Sequence, residues 1–287
     1  MHSDEYHKSD AIGSSMLRDF LKSPRLFEAR HILRTAAGEP SDEMDLGTAA
    51  HAAILCDQPL DSVVMLIPPE VLSKSGSRAG NEWKDFAARN YGKVLLKQDD
   101  YNRMNAIRDA VFRNPAAKRL LEMPGPVESS IFWQCRDTDL RRKARLDKLA
   151  EPTVYMPIIV DVKTASDHSK WAWAKAALDR GYHIQAAYYA DAVRHTRDVD
   201  SMMAFIVVSS KPPHVCRTYS LGDDELALGR EQVRTGLERL AEALETNDWR
   251  EPGEDVVTTI CFPGWAFKTR TEHDEHGTTE STDEASG

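Results

Sequence analysis

The sequence predicts an α/β domain built on a mixed sheet, and three observations carry that reading. Apolar residues recur at helical spacing through about the first 123 residues. The break Pro124-Gly125-Pro126 then opens an antiparallel hairpin. Behind the hairpin comes a continuous apolar run, Val154 to Val162, followed by two helices and two more strands.

Each element has a local reason. Ser14 or Ser15 is placed to cap a helix carrying Met16, Leu17, Phe20 and Leu21, and Ser23-Pro24 starts another through Leu33. Gly38 to Asp45 reads as a loop, and Leu46 to Leu55 as a small-residue helix buried on most sides. Residues 57 to 80 read as irregular, and residues 81 to 90 and 98 to 122 return to helical spacing, as in Met104, Ile107 and Val111. Val127 to Cys135 and Arg141 to Leu149 make the hairpin around Asp137-Thr138-Asp139. The run Val154 to Val162 is expected to be a central strand buried on both faces. Helices follow from Asp167 to Gly181 and from Ile184 to His195. Strands at Met202 to Ser209 and His214 to Leu221 and a long helix, Asp223 to Thr246, complete the order. No linker divides the chain, so residues 1–270 are expected to form one domain. Its helical part is about residues 1–123 and its core about 124–250, ahead of an acidic, disordered tail at 271–287.

The composition of the 287 residues, 41% hydrophobic and 29% charged, supports a sizeable core and excludes wholesale disorder. No apolar run nears the roughly 20 residues of a membrane span, the richest being Met202 to Val208. The N-terminus is polar, and the cysteines Cys56, Cys135, Cys216 and Cys261 lie far apart. A cytoplasmic protein with reduced thiols and no membrane partner is expected. The net charge of −9 speaks against a nucleic-acid partner until its distribution is considered, because six of the acids lie beyond Arg270 with no Lys or Arg among them. The body holds a basic stretch, Arg141-Arg142-Lys143-Ala144-Arg145, closing with Lys148. Local field counts for more than net charge toward a polyanion, so DNA remains a candidate partner.

Phosphate-loop, dinucleotide-fold, zincin and nucleophile-elbow motifs are absent, which leaves a set of acids around the sheet. Asp161 and Lys163 follow the apolar run and share one face, expected at the end of that strand. They read either as a surface ion pair or as part of a site. Asp147 closes the preceding strand with Arg145 on the same face; if the two strands are neighbours, two carboxylates converge into an oxygen-rich site of the kind Mg²⁺ prefers. The other reading of Asp147 is a buried acid satisfied by Arg or Lys. Period-two alternation puts Arg141, Lys143 and Arg145 on the Asp147 face, and Arg142 and Lys148 on the other. Gln185 and Tyr189 stand one helical turn apart and share a face. His51 lies among small apolar residues, where a histidine is more often part of the core than a ligand. The stretch Lys74 to Lys84, with Arg78, has the composition of a phosphate-holding loop or of a solvated one.

In order, these pieces resemble one family, the RecE-type exonucleases (exodeoxyribonuclease VIII) of the PD-(D/E)xK superfamily. The pieces are Gly13 to Leu17 through Ser23-Pro24, Leu46 to His51, Glu128, Arg145 to Leu149, Val160 to Ala165, and Gln185 to Tyr189; together they run over most of residues 6–265. The resemblance implies a restriction-endonuclease-like α/β core, its mixed central sheet flanked by helices, plus a helical N-terminal part. It implies that Asp147, Asp161, the carbonyl of Val162 and His51 hold Mg²⁺, with Mn²⁺ able to substitute, and that Lys163 is the catalytic lysine. Gln185 and Tyr189 would position DNA or water, and Glu128 matches an acid upstream of the core. Arg78, Lys84, Lys143 and Arg145 would meet DNA. No proline directly precedes Asp147, and only Cys261 falls late in the chain, so no iron–sulfur cluster is expected. The implied activity is degradation of linear double-stranded DNA from its ends, 5′ to 3′, leaving 3′ single-stranded tails for recombination. A trimeric or tetrameric ring, a single-strand annealing protein as partner and a phage or prophage setting in a bacterial host come with it. A PD-(D/E)xK endonuclease, or a catalytically idle DNA-binding or phage regulatory protein, are the alternatives.

Overall fold

A computed structural model describes residues 6, 8–36, 42–55 and 59–262. Two compact units divide at Trp249 and Arg250. The described part of the second unit, residues 250–262, is turn and irregular chain, in which Glu251 N–H donates to Glu254 Oε2 at 2.9 Å. The acidic tail beyond Arg270, the loop at Pro263-Gly264-Trp265 and Cys56 lie outside the described residues.

The first unit is a mixed sheet between two layers of helices. Its strands are β1 (Ile12–Gly13), β4 (Val127–Gln134), β5 (Arg141–Ala150), β6 (Ile158–Ala165), β7 (Met202–Ser209) and β8 (Cys216–Ser220). They run in the order β1-β5-β6-β7-β8, with β4 on the other edge of β5. The β6–β7 and β1–β5 pairs are parallel, and the rest are antiparallel.

The helices of one layer are α1 (Ser14–Lys22), α2 (Pro24–Phe27), α7 (Lys170–Asp179), α8 (Tyr182–Arg197) and α9 (Asp223–Thr246). They bury Leu17, Phe27, Trp173, Tyr188 and Leu237 against Ile159 and Phe205 of the sheet. The other layer is α3 (Asp42–Leu55), α5 (Gln98–Arg113) and α6 (Pro115–Glu122). Its Ala49, Ile107 and Ala117 pack on Val160, Val162 and Ile206. Successive residues of β6 and β7 thus enter opposite cores, which is why both strands read as unbroken apolar runs. Helices α8 and α9 touch through Gly229, where a Cβ would come within 2.3 Å of the His183 carbonyl oxygen; no larger residue allows this approach.

Several boundaries differ from the sequence-based expectation, each for a local reason. The helix from Ser23 is capped as expected, its Oγ accepting from Leu26 N–H at 3.0 Å, but passes into a π-turn at Glu28–Ile32. The expected helix at 98–122 breaks at Asn114, whose side chain caps the helix that Pro115 begins. The α4 helix (Asn81–Arg89) is as expected, but β2 (Val64–Leu66) and β3 (Val94–Leu96) form a small parallel pair that includes part of the stretch read as irregular. The central strand starts at Ile158 rather than Val154: Val154 and Tyr155 are exposed ahead of Pro157, and the strand runs on to Ala165. Asp161 and Lys163 therefore lie within β6 and not at its end.

Candidate active site

The site lies where β5 and β6 part. On that edge of β5, Ile12 and Gly13 of β1 pair with Arg142 and Lys143, while β6 pairs only with Lys148, Leu149 and Ala150. The edge between these two pairings has no strand partner, and Asp147 sits there. Its Oδ2 accepts from the Val162 N–H at 2.8 Å, so a carboxylate fills the place that a ladder hydrogen bond would take. The side-chain alternation of β5 slips at the same point. Leu146 and Leu149 both face the α8 side, while Ala150 faces the α3 side. Across the hairpin, Glu128 adopts φ 51°, a left-handed conformation that costs a non-glycine residue about 1–2 kcal/mol. This backbone distortion coincides with the gathering of acids.

From α3, His51 reaches this notch. Its Nε2 lies 2.9 Å from Asp147 Oδ2 and its Nδ1 3.4 Å from Glu128 Oε1. Donor atoms of His51, Glu128 and Asp147 all fall within 4.8 Å of one another. Arg145 Nε holds the second Glu128 oxygen at 2.5 Å. Asp161, 1% exposed, enters from the α8 side: Gln185 Nε2 donates to its Oδ1 at 2.9 Å, and Lys163 Nζ pairs with its Oδ2. Beneath that ammonium lies the Tyr182 ring, its centroid 5.0 Å from Nζ.

Charge is tightly balanced here. Burial pushes the Asp161 carboxyl up to about 6; Lys163 opposes this and Asp147 adds to it. Burial would raise Asp147 as well, but His51, Lys163 and the Val162 N–H outweigh it and hold that acid below its usual range. His51 and Lys163 are both raised, because the adjacent carboxylates outweigh the desolvation that favours their neutral forms. Burial, then the charges of Asp161 and Asp147, drives the Tyr189 phenol far up, so it stays protonated.

The donor set fits a hard divalent cation. Two carboxylates, Glu128 and Asp147, and the His51 imidazole converge, Asp161 lies within reach of the Asp147 and His51 charges, and the Gln185 Oε1 is buried without a hydrogen-bond partner. Asp147, Asp161, Glu128 and His51 are the residues that would hold it.

The expected residues divide into two groups. Asp147, Asp161, Lys163, His51, Glu128, Gln185 and Arg145 come together, with Tyr189 within reach of the acids' charges and Val162 holding Asp147 through its N–H. The others stand apart from this cluster. Lys143 was expected on the DNA path; instead it is 6% exposed, its ammonium donating to the carbonyls of Tyr6 and Ser9 at 2.9 and 2.8 Å. Arg78 bonds Asp45 at 3.3 Å and the Leu95 carbonyl at 2.9 Å. Lys84 is exposed on α4. Sequence reasoning passed over Tyr182, although Tyr182, Gln185 and Tyr189 share one face of α8 at helical spacing.

A mixed sheet between two helical layers, whose central strands part over an Asp, with Asp-x-Lys on the neighbouring strand, defines a PD-(D/E)xK-type fold. Residues 13–257 match the model of one such family, DUF3799, described as a PDDEXK-like domain of unknown function, and the chain belongs to that family. The crystal structure of a "Putative exonuclease" from Eubacterium rectale superposes with a TM-score of 0.60 at 13% identity, over 94% of this chain and 98% of that one. At that identity the likeness is one of fold. The crystal structure of SSO0001 aligns at a TM-score of only 0.33 and 13% identity, over 73% of this chain and 87% of that one. No curated protein matches the sequence. Among the described residues no helix is long and apolar enough to cross a membrane.

Proposed function

We propose that the protein is a divalent-metal-dependent exodeoxyribonuclease that degrades linear double-stranded DNA from its ends. The observation that carries this is the convergence of Asp147, Glu128 and His51 in the notch between β5 and β6, with Asp161 and Lys163 on the adjoining strand. Membership of a PDDEXK-like family supports the hydrolytic part of the reading. The preference for ends, the 5′ to 3′ direction and the 3′ single-stranded product rest on the resemblance to RecE-type exonucleases.

The chain's own residues have distinct tasks. A bound Mg²⁺ would polarise the phosphate and supply a nucleophilic water near neutral pH. Asp147 is aimed by the Val162 N–H, and Glu128 by Arg145. Gln185 fixes the rotamer of Asp161 through one carboxylate oxygen, leaving the other to Lys163. Lys163 is held as an ammonium, suited to offsetting negative charge that builds on a phosphate during substitution. Tyr189, kept protonated, can donate but cannot serve as a base.

The test uses linear duplexes labelled at the 5′ or the 3′ end, with a closed circle in the same tube, in Mg²⁺, Mn²⁺ or EDTA. We expect metal-dependent loss of the linear species, early release of the 5′ label and an intact circle. A cut circle would establish an endonuclease instead, and an untouched linear duplex in either metal would end the nuclease reading. The ring of three or four subunits, the annealing protein and the bacterial cytoplasm belong to the same proposal. Light scattering of the purified protein addresses the first of these.

A further inference from the structure

Two further cations, Arg18 and Arg180, gather with Lys163 around Tyr182. The Tyr182 ring, which underlies Lys163, also lies 6.0 Å from the guanidinium carbon of Arg18 on α1. Arg18 is held by neutral groups only: its Nη1 donates to the Arg180 carbonyl at 2.7 Å and its Nε to the Ser14 carbonyl at 3.4 Å. Arg180, exposed at the C-terminus of α7, reaches the Tyr182 hydroxyl with Nη1 at 3.5 Å. The nearest acids in sequence are engaged elsewhere, Asp19 with Arg30 and His31, and Asp179 with Lys175. Among the described residues neither arginine has a carboxylate partner, in a chain whose net charge is −9.

Two further features mark the spot. Helix α8 begins here, its N-cap Gly181 offers no side-chain cap, and its first turn holds no acid. The positive end of a 16-residue helix is therefore left without a negative group from its own turn. Gly181 itself has φ 66°, and a Cβ on it would lie 2.9 Å from Arg18 Cδ. The turn thus has the conformation and the space that let the Arg18 stem pass against it.

We infer that Arg18, Arg180 and the start of α8 form a phosphate-binding station for the DNA backbone, next to the phosphate that Lys163 serves. The inference rests on the nuclease reading and deepens it by naming where the strand is gripped beyond the scissile bond. The chemistry fits a phosphate: two forked donors with open capacity, gathered about one tyrosine whose ring meets Arg18 and whose hydroxyl meets Arg180, beside a helix N-terminus with no acid in its first turn. The occupant is a phosphate either within the strand or at its 5′ end, and duplexes with phosphorylated or hydroxyl ends separate the two.

The experiment measures binding of a linear duplex in EDTA, so that nothing is cut, across a salt series. The proteins are wild type, Arg18→Ala, Arg180→Ala, Arg18→Lys and Arg234→Ala. Arg234 is a control of equal charge, since its guanidinium is neutralised by Glu231 and Glu238 on α9. Loss of one phosphate contact lowers the slope of log K against log salt by about 0.9. We expect that drop for Arg18→Ala and for Arg180→Ala, most of it restored in Arg18→Lys, and none for Arg234→Ala. In Mg²⁺ the two alanine variants should raise KM several-fold with little change in kcat. Arg180 is exposed, so its variant keeps the test open if Arg18→Ala misfolds. If wild type binds and cuts DNA but Arg180→Ala keeps its slope and KM, or Arg234→Ala loses as much, the station is wrong while the nuclease reading stands. If wild type does not bind duplex at all, both fall.

Discussion

Arg142 and Arg145 stand close together on β5, and the alternation of the strand puts them on opposite faces. Arg142 is 5% exposed, donates through both Nη atoms to Asp191, and stacks over the rings of Tyr188 and Trp133 at 4.1 and 4.6 Å. It is a packed core residue that happens to carry a charge. Arg145 lies on the other face, holds Glu128 beside His51 and Asp147, and keeps its Nη1 buried without a hydrogen-bond partner. What separates them is the face of β5 on which each stands and the sheet edge beside it. Where β1 pairs with the strand, the cations serve the fold; where the edge lies open, they serve the acids.

The largest effect should come from the open part. Asp161→Ala and Lys163→Ala are each expected to lower the cleavage rate by about 10²- to 10³-fold, the range seen when a preorganised charge is removed from a reacting centre. Circular dichroism should report folded proteins. Normal turnover by either variant would detach this strand from the chemistry.

Next comes the contrast between the two arginines. Arg142→Ala is expected to destabilise by about 2 kcal/mol, through lost stacking and a lost ion pair, with residual activity tracking the folded fraction. Arg145→Ala should cost under about 1 kcal/mol, since its ion pair is partly exposed, yet lower activity in protein that is still folded. Urea denaturation with parallel rate measurements tests both, and equal stability losses would erase the distinction drawn between the two faces.

A subtler difference is set by pH. Asp161 has a folded-state pKa of about 6, above the ordinary carboxyl value of 3.8, so its ionised form is disfavoured by folding. Its contribution to stability is complete below about pH 4 and is lost as pH rises through about 6. In EDTA, Asp161→Asn should therefore melt a few degrees above wild type at pH 8, an advantage that shrinks toward pH 4. A variant that melts lower at pH 8 would show that the Lys163 pairing outweighs the cost of burying the acid.

The smallest effect on function concerns Lys143. Because its ammonium is spent on the Tyr6 and Ser9 carbonyls, Lys143→Ala should lower stability by about 1 kcal/mol and leave the salt dependence of DNA binding unchanged. A drop of one unit in the salt slope would restore it to the DNA path.

The strand-and-helix order was legible because burial on both faces makes β6 and β7 unbroken apolar runs, and because turn residues mark the hairpin. Asp161 and Lys163 stood out as charges on such a run. The partners of the hairpin cations were not legible, since they depend on contacts from far along the chain: Asp191 for Arg142, Tyr6 and Ser9 for Lys143. Nor was the two-residue β1, too short to show periodicity, although its pairing bounds the notch. His51 shows the same limit. Its neighbours in sequence suggest a core histidine; the family resemblance points it toward the acids, and the fold sets it against Asp147 and Glu128.

The central claim is that the parting of β5 and β6 is a metal-dependent hydrolytic centre organised on Asp147. It is tested most directly by single-turnover cleavage of a linear duplex by wild type and Asp147→Ala, each in Mg²⁺ and in EDTA. We expect cleavage by wild type in Mg²⁺ alone and background rates in the other three reactions. Cleavage by Asp147→Ala at the wild-type rate, or by wild type in EDTA, would contradict it.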